Sequence, residues 1–171
     1  MKESLLVIGM QNDFIDGTLG TSEAQAIVSH VCQRIRNFNG DVIYTQDTHG
    51  KDYLCTLEGK NLPIIHCIKD TEGWQINSDV FAEGKSKCIA VIEKQTFGSE
   101  KLAQLVEDNG YEKVTFIGLF TDICIINSAM IIKTKCHEIP VVVDSTCCAG
   151  ITPESHQRAL GAMGMCQIEI I

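Results

Sequence analysis

The sequence has no apolar run near the ~18 residues that a membrane-spanning helix needs, so neither a span nor a membrane partner is expected. It is also short of positive charge. Fourteen Lys and Arg face 22 Asp and Glu, for a formal net charge of −8. The basic residues form no cluster, which argues against a nucleic-acid or anionic-surface partner. No two cysteines stand in a CxxC pair, so zinc ribbons and thioredoxin-type redox motifs lack their ligand spacing.

What is present fits one globular domain over residues 1–171, with 44% hydrophobic and 21% charged residues and enough length for a sizeable core. Nine cysteines is a high count, and they fall at 32, 55, 67, 88, 124, 136, 147, 148 and 166. An odd number in a chain of this size reads as reduced, mostly buried small hydrophobes rather than a disulfide framework. Met1-Lys2-Glu3-Ser4 runs straight into a strand-like segment without the pattern of a signal peptide, and a cytoplasmic location is expected.

Strand and helix patterns alternate. Leu5–Ile8, Asp41–Thr45, Ile89–Ile92, Val114–Ile117 and Ile139–Val143 read as strands, with a last one over 166–171. Helices are expected over 22–38, with Ser22 and Gln25 as a capping box, over 99–109, and over 121–135, which is apolar almost all round. Thr152-Pro153-Glu154 opens a final helix with a cap, a proline and an acid in the preferred order. Residues 46–86 show weak periodicity, and so long an irregular stretch in a compact domain is usually functional. Continuously apolar strands alternating with helices predict an α/β fold, a doubly wound and mostly parallel sheet covered on both faces.

Ligands in such folds sit beyond the carboxyl ends of the strands, and the residues there carry the candidate chemistry. Cys124 falls in the first turn after the strand ending at Gly118, where free N–H groups and the helix dipole lower a thiol pKa and can receive an oxyanion. By position alone a buried helix cysteine is the plainer reading. Lys94 follows the third strand and would favour a nearby thiolate; alone it could equally be a strand-ending surface residue. Asp47, His49 and His66 could ligate a divalent metal such as zinc, iron or manganese, or simply hydrogen-bond a loop. Glu58 and Cys55 are further donors nearby. Adjacent Cys147 and Cys148 read as packing residues, His156 as a solvent-facing one, and Trp74 as a pocket wall or a subunit contact.

Taken together, Gly9-Met10-Gln11-Asn12-Asp13-Phe14, Asp47-Thr48-His49, His66-Cys67, Lys94 and Gly118–Cys124 occur in the order of the isochorismatase-like cysteine hydrolases, and the chain resembles their nicotinamidase branch from residue 5 to about 166. The resemblance implies a six-stranded sheet and an Asp–Lys–Cys triad beside a metal. It makes Cys124 the nucleophile and Lys94 the triad lysine, with Asp47, His49 and His66 as metal ligands. Phe14, Leu119 and Phe120 would line the substrate pocket, the Leu119–Phe120 peptide would be cis, and the Cys124 N–H would help receive the oxyanion. The implied activity is hydrolysis of a small-molecule amide, nicotinamide or another amide or ureido compound, with no organic cofactor. A homo-oligomer is implied as well.

Two positions depart from the family pattern. Gly9 stands where the motif has the aspartate that serves as base, so turnover is expected to be impaired, with a carboxylate-sized space beside Lys94 and Cys124. A catalytically silent ligand-binding member is the alternative. Restoring the acid by Gly9→Asp is the matching test. Asp47 is the other carboxylate at a matching strand end, and a metal would claim it. The second departure lies at Leu54-Cys55-Thr56, where nicotinamidases carry a further histidine; Glu58 is the nearest oxygen donor to stand in.

Overall fold

The computed structural model describes all residues, Met1–Ile171. Its centre is one six-stranded sheet, every pair parallel, in the order β3-β2-β1-β4-β5-β6. The strands are β1 (Glu3–Ile8), β2 (Asp41–Asp47), β3 (Cys88–Lys94), β4 (Lys113–Leu119), β5 (Val141–Ala149) and β6 (Glu169–Ile170). The helices are α1 (Asn12–Ile15), α2 (Ser22–Asn37), α3 (Leu57–Asn61), α4 (Ser78–Gly84), α5 (Glu100–Asp108), α6 (Ile126–Lys135) and α7 (Pro153–Met165). No helix is long and apolar enough to cross a membrane.

Strand β1 shows why the sheet is covered on both sides. Leu5 and Val7 join the core under α2, while Leu6 and Ile8 join the opposite core under α5, α6 and α7, and all four are fully buried. Continuous apolarity is what a doubly covered parallel strand requires. At the edge, β3 leaves Ile89 and Val91 exposed. The chain winds one way from β1 to β2 and β3 and the other way through β4, so the strand order reverses between β1 and β4. That reversal opens the crevice where such folds place ligands.

Several boundaries differ from the sequence expectation. The cap of α2 is Thr21, whose hydroxyl accepts from Ala24 N–H at 3.0 Å, not Ser22. Strand β5 continues past Val143 to Ala149, so Cys147 and Cys148 lie within it, one facing each core. Polar Asp144, Ser145 and Thr146 hid this continuation; the structure satisfies Asp144 with Arg34 at 3.2 Å and with the Thr146 hydroxyl at 2.7 Å. The segment after β4 begins as a π turn, Thr121–Ile125, before α6. Helix α6 is not buried all round: Asn127, Thr134 and Lys135 are exposed and Met130 and Ile131 half-buried. The last strand is only Glu169–Ile170.

The stretch 46–86 is tied down rather than repetitive. Asp13 carries the key tie, its carboxylate accepting the Cys67 N–H at 2.7 Å. His49 also bridges to Ile68, and Gln11 to Ile76.

Candidate active site

Three side chains meet at the strand ends. Asp47 ends β2 and Lys94 ends β3, and the two are direct register partners in the parallel ladder. Their side chains therefore leave the same face side by side. Lys94 Nζ lies 2.5 Å from Asp47 Oδ1 and 3.5 Å from Cys124 Sγ, and donates to the Thr96 carbonyl at 2.9 Å. The first contact is an ion pair, and the other two are hydrogen bonds from the ammonium. The Cys124 thiol is directed at the other Asp47 oxygen, Oδ2, at 3.8 Å. Exposure is 5% at Lys94, 4% at Asp47 and 2% at Cys124, so little water screens the group.

This burial sets the resting protonation of the thiol. Desolvation, reinforced by the Asp47 charge, pushes Cys124 up to about 12 against the pull of Lys94 and the Phe120 backbone N–H. The helix-start argument predicted the opposite direction; it left out burial and the Asp47 charge, which together outweigh Lys94 and the Phe120 N–H. The resting form is a neutral thiol that needs a proton acceptor when it attacks. For Lys94, burial favours the neutral amine, but Cys124 and Asp47 outweigh it and hold the ammonium charged.

Gly9 is placed where the resemblance puts it, just beyond β1, but the space beside it is not a carboxylate-sized gap. Its φ is +56°, and a Cβ there would lie 2.6 Å from the Leu119 carbonyl oxygen. The Leu119–Phe120 peptide is cis. Gln11, two residues on, is buried and clamps the end of β2: its Oε1 accepts the Asp47 N–H at 2.7 Å, and its Nε2 donates to the Asp47 carbonyl at 2.8 Å. Asp47 is thus aimed by its backbone from the neighbouring strand.

A second cluster adjoins the first. Donor atoms of His49, Glu58 and His66 lie within 4.8 Å of one another. Glu58 Oε1 is 3.7 Å from His49 Nε2 and 3.8 Å from His66 Nε2. His49 Nε2 is buried with no hydrogen-bond partner. His66 donates its Nδ1–H to the Ile64 carbonyl at 2.7 Å, which fixes the ring with Nε2 facing Glu58. Buried Tyr53 packs on both rings, with centroids at 4.8 and 5.0 Å. Burial and the neighbouring His66 lower the His49 pKa, keeping a neutral imidazole. Burial raises that of Glu58. An orphaned buried nitrogen, an oriented imidazole and a carboxylate fit a divalent metal. Asp47, expected among the ligands, stands outside this set because both its oxygens are turned to Lys94 and Cys124; Cys55 is exposed and also outside.

Both clusters open onto a cavity of about 270 Å³ walled mainly by apolar side chains. Phe14 and Phe120 stand in it edge to face, 5.4 Å between centroids, and Cys124, Asp47, Glu58 and His66 line it as well. Leu119 is not part of the wall; its side chain is fully buried in the core under α2. Leu19, Leu62, Phe97, Ile123 and Ile151 complete the wall and went unseen in the sequence, since they arrive from five separate loops and turns with no shared motif. The Gln11 clamp was within reach, because it sits inside the Gly9–Phe14 motif. Trp74 lies off the cavity, its indole N–H donating to Thr48 at 2.8 Å. His156 is half-buried rather than solvent-facing, paired with the Thr121 hydroxyl at 2.8 Å.

Solved structures resemble this chain over its whole length. A nicotinamidase/pyrazinamidase from Bacillus subtilis superposes with a TM-score of 0.87 at 22% identity, covering 99% of each chain. A pyrazinamidase of Pyrococcus horikoshii in complex with zinc gives 0.79 at 26% identity, covering 100% of this chain and 99% of the other. A protein from L. infantum in complex with nicotinate gives 0.86 at 19% identity, over 99% and 92%. No curated protein matches in sequence. The family model described as the isochorismatase domain matches residues 3–171, and the chain therefore belongs to the isochorismatase family.

Proposed function

We propose that this chain is a cysteine hydrolase that cleaves the C–N bond of a small amide carried on a flat ring, nicotinamide being the type, and releases ammonia through a thioester on Cys124. The observation that carries this reading is the buried Cys124, paired with Lys94, in the wall of a mainly apolar cavity that Phe14 and Phe120 also line. At about 270 Å³ the cavity falls just below the ~300–1,000 Å³ of drug-sized sites, which favours a small ligand. Likeness to nicotinamidases, and to a protein holding nicotinate, supports the same substrate class.

In the reaction the sulfur bonds to the amide carbon, and the oxyanion is received by N–H groups at the start of the helical segment, Cys124 among them. The C–N bond breaks, and the thiol proton leaves with the amine as ammonia. Water then attacks the thioester, the C–S bond breaks, and a proton returns to sulfur. His49, Glu58 and His66 would hold a divalent metal, which when bound supplies a Lewis-acid contact for a ring lone pair.

The test is ammonia release from nicotinamide by the purified protein and by Cys124→Ala. Release that disappears in the variant supports the proposal; release that survives it removes Cys124 from the chemistry. Turnover of other amides or ureido compounds alone would move the substrate. Gly9 favours one other reading, a silent member, which predicts nicotinate binding without turnover of any amide.

A further inference from the structure

We propose that Asp47 is the proton-transferring carboxylate of this site, relocated from β1 to the end of β2, and that Glu58 takes its place as the acidic member of the neighbouring donor cluster. This rests on the reading of Cys124 as nucleophile. Three observations converge on it. Position 9 offers no carboxylate and no room for one, with the Leu119 carbonyl 2.6 Å from where a Cβ would stand. Asp47 spans the pair that a base must serve, one oxygen 2.5 Å from Lys94 Nζ and the other receiving the Cys124 thiol at 3.8 Å. The donor cluster is complete without it, because Glu58 stands between His49 Nε2 and His66 Nε2.

Placement of Asp47 does not depend on its charge. Its register partner in β3 is Lys94 itself, and Gln11 grips both its N–H and its carbonyl. The carboxylate can accordingly take the thiol proton as sulfur attacks and pass it to the departing nitrogen, then draw a proton from the water that opens the thioester and return it to the released sulfur. Each uptake is matched by a delivery, so the group ends each half-reaction ionised, as it began. Lys94 stays protonated throughout and balances the charge that moves between sulfur and carboxylate. Asp47 is thereby a catalytic residue, in contact with the reacting sulfur, and Glu58 is not.

The experiment compares Asp47→Asn and Glu58→Gln in the full chain, with two readouts. One is steady-state ammonia release from nicotinamide. The other is zinc stoichiometry after equilibrium dialysis against zinc alone. Asp47→Asn should lower kcat by about 10²–10⁴-fold with KM little changed, and should keep its zinc. Glu58→Gln should lose zinc. Asp47→Ala serves as the second variant if the amide folds poorly, and is expected to behave in the same way. Loss of zinc from Asp47→Asn, or turnover within threefold of wild type, overturns the assignment while leaving the hydrolase reading standing. A wild-type chain that releases no ammonia from any small amide removes the base role together with the hydrolase reading. Zinc kept by Glu58→Gln overturns the relocation of the donor.

Discussion

Replacing Gly9 with any other residue should destabilise the protein, and Gly9→Asp should fail to raise its turnover. The backbone at Gly9 has φ +56°. A side chain in that left-handed region costs roughly 1–2 kcal/mol. The new Cβ would also meet the Leu119 carbonyl oxygen at 2.6 Å, a backbone atom that cannot swing aside as a side-chain tip could. Forcing a methyl group into such a packed position typically costs about 1–3 kcal/mol. The two terms give about 2–5 kcal/mol for Gly9→Ala, a large share of the ~5–15 kcal/mol that holds a domain together.

Urea unfolding read by circular dichroism measures this directly, as a lower midpoint at unchanged slope. In a chain of this length each kcal/mol lowers Tm by about 2–4 °C. Gly9→Asp should lose stability as well, since its Cβ meets the same Leu119 carbonyl. Gly9→Ala within 0.5 kcal/mol of wild type would refute the strain argument. A faster Gly9→Asp would show that the crevice had kept a place for the family's own acid.

Three further outcomes follow from the same geometry. Lys94→Met leaves the Asp47 carboxylate buried without its cation and should cost about 3–5 kcal/mol, most of it recovered in the double variant Lys94→Met/Asp47→Leu; thermal unfolding that shows no recovery would refute the pairing. Stability should fall above pH 9, the ordinary thiol value, because the unfolded chain then loses thiol protons that the folded chain keeps: burial pushes Cys124 up to about 12 and Cys147 to about 11, and raises Cys67 and Cys148 as well. Each such group removes up to about 1.4 kcal/mol per pH unit in that window, and a Tm flat from pH 8.5 to 10.5 would contradict it. Thr152→Ala removes the hydroxyl that caps α7 on Ser155 N–H and should cost about 0.5–2 kcal/mol by denaturant titration, with ammonia release unaffected.

How far the fold could be read depended on where burial matched periodicity. β1 and β4 are apolar on both faces because both faces are covered, and their limits came out within a residue or two. β5 was cut short because a strand whose polar residues are met by Arg34 and by its own turns looks, in sequence, like a strand that has ended. In the same way α2 slipped by one residue, since Thr21 and Ser22 are equally good caps and only the hydrogen bond to Ala24 decides between them. The stretch 46–86 gave no pattern because its order comes from distant ties such as Asp13 to Cys67 N–H.

The site was legible strand end by strand end, but the division of labour between its two acids was not. In a parallel sheet the carboxyl ends of adjacent strands open onto one crevice, so a carboxylate lost from one strand can be supplied by the next. Read along the chain, Gly9 and the missing histidine near Cys55 are separate losses, one from a triad and one from a metal site. Folded, they bear on a single residue. Asp47 can serve Lys94 and Cys124 only if something else completes the donor cluster, and Glu58 can enter that cluster only through the capped turn of α3, whose Gly59 lies so close to Tyr53 that a Cβ would stand 2.0 Å from its carbonyl oxygen. That coupling makes a prediction neither departure makes alone: enlarging Gly59 to Ala should shift Glu58 and cost zinc, while leaving the Asp47–Lys94 pair in place. Dialysis against zinc, beside the kcat of the same preparation, would separate the two sites; zinc retained in full would show that α3 does not set the cluster.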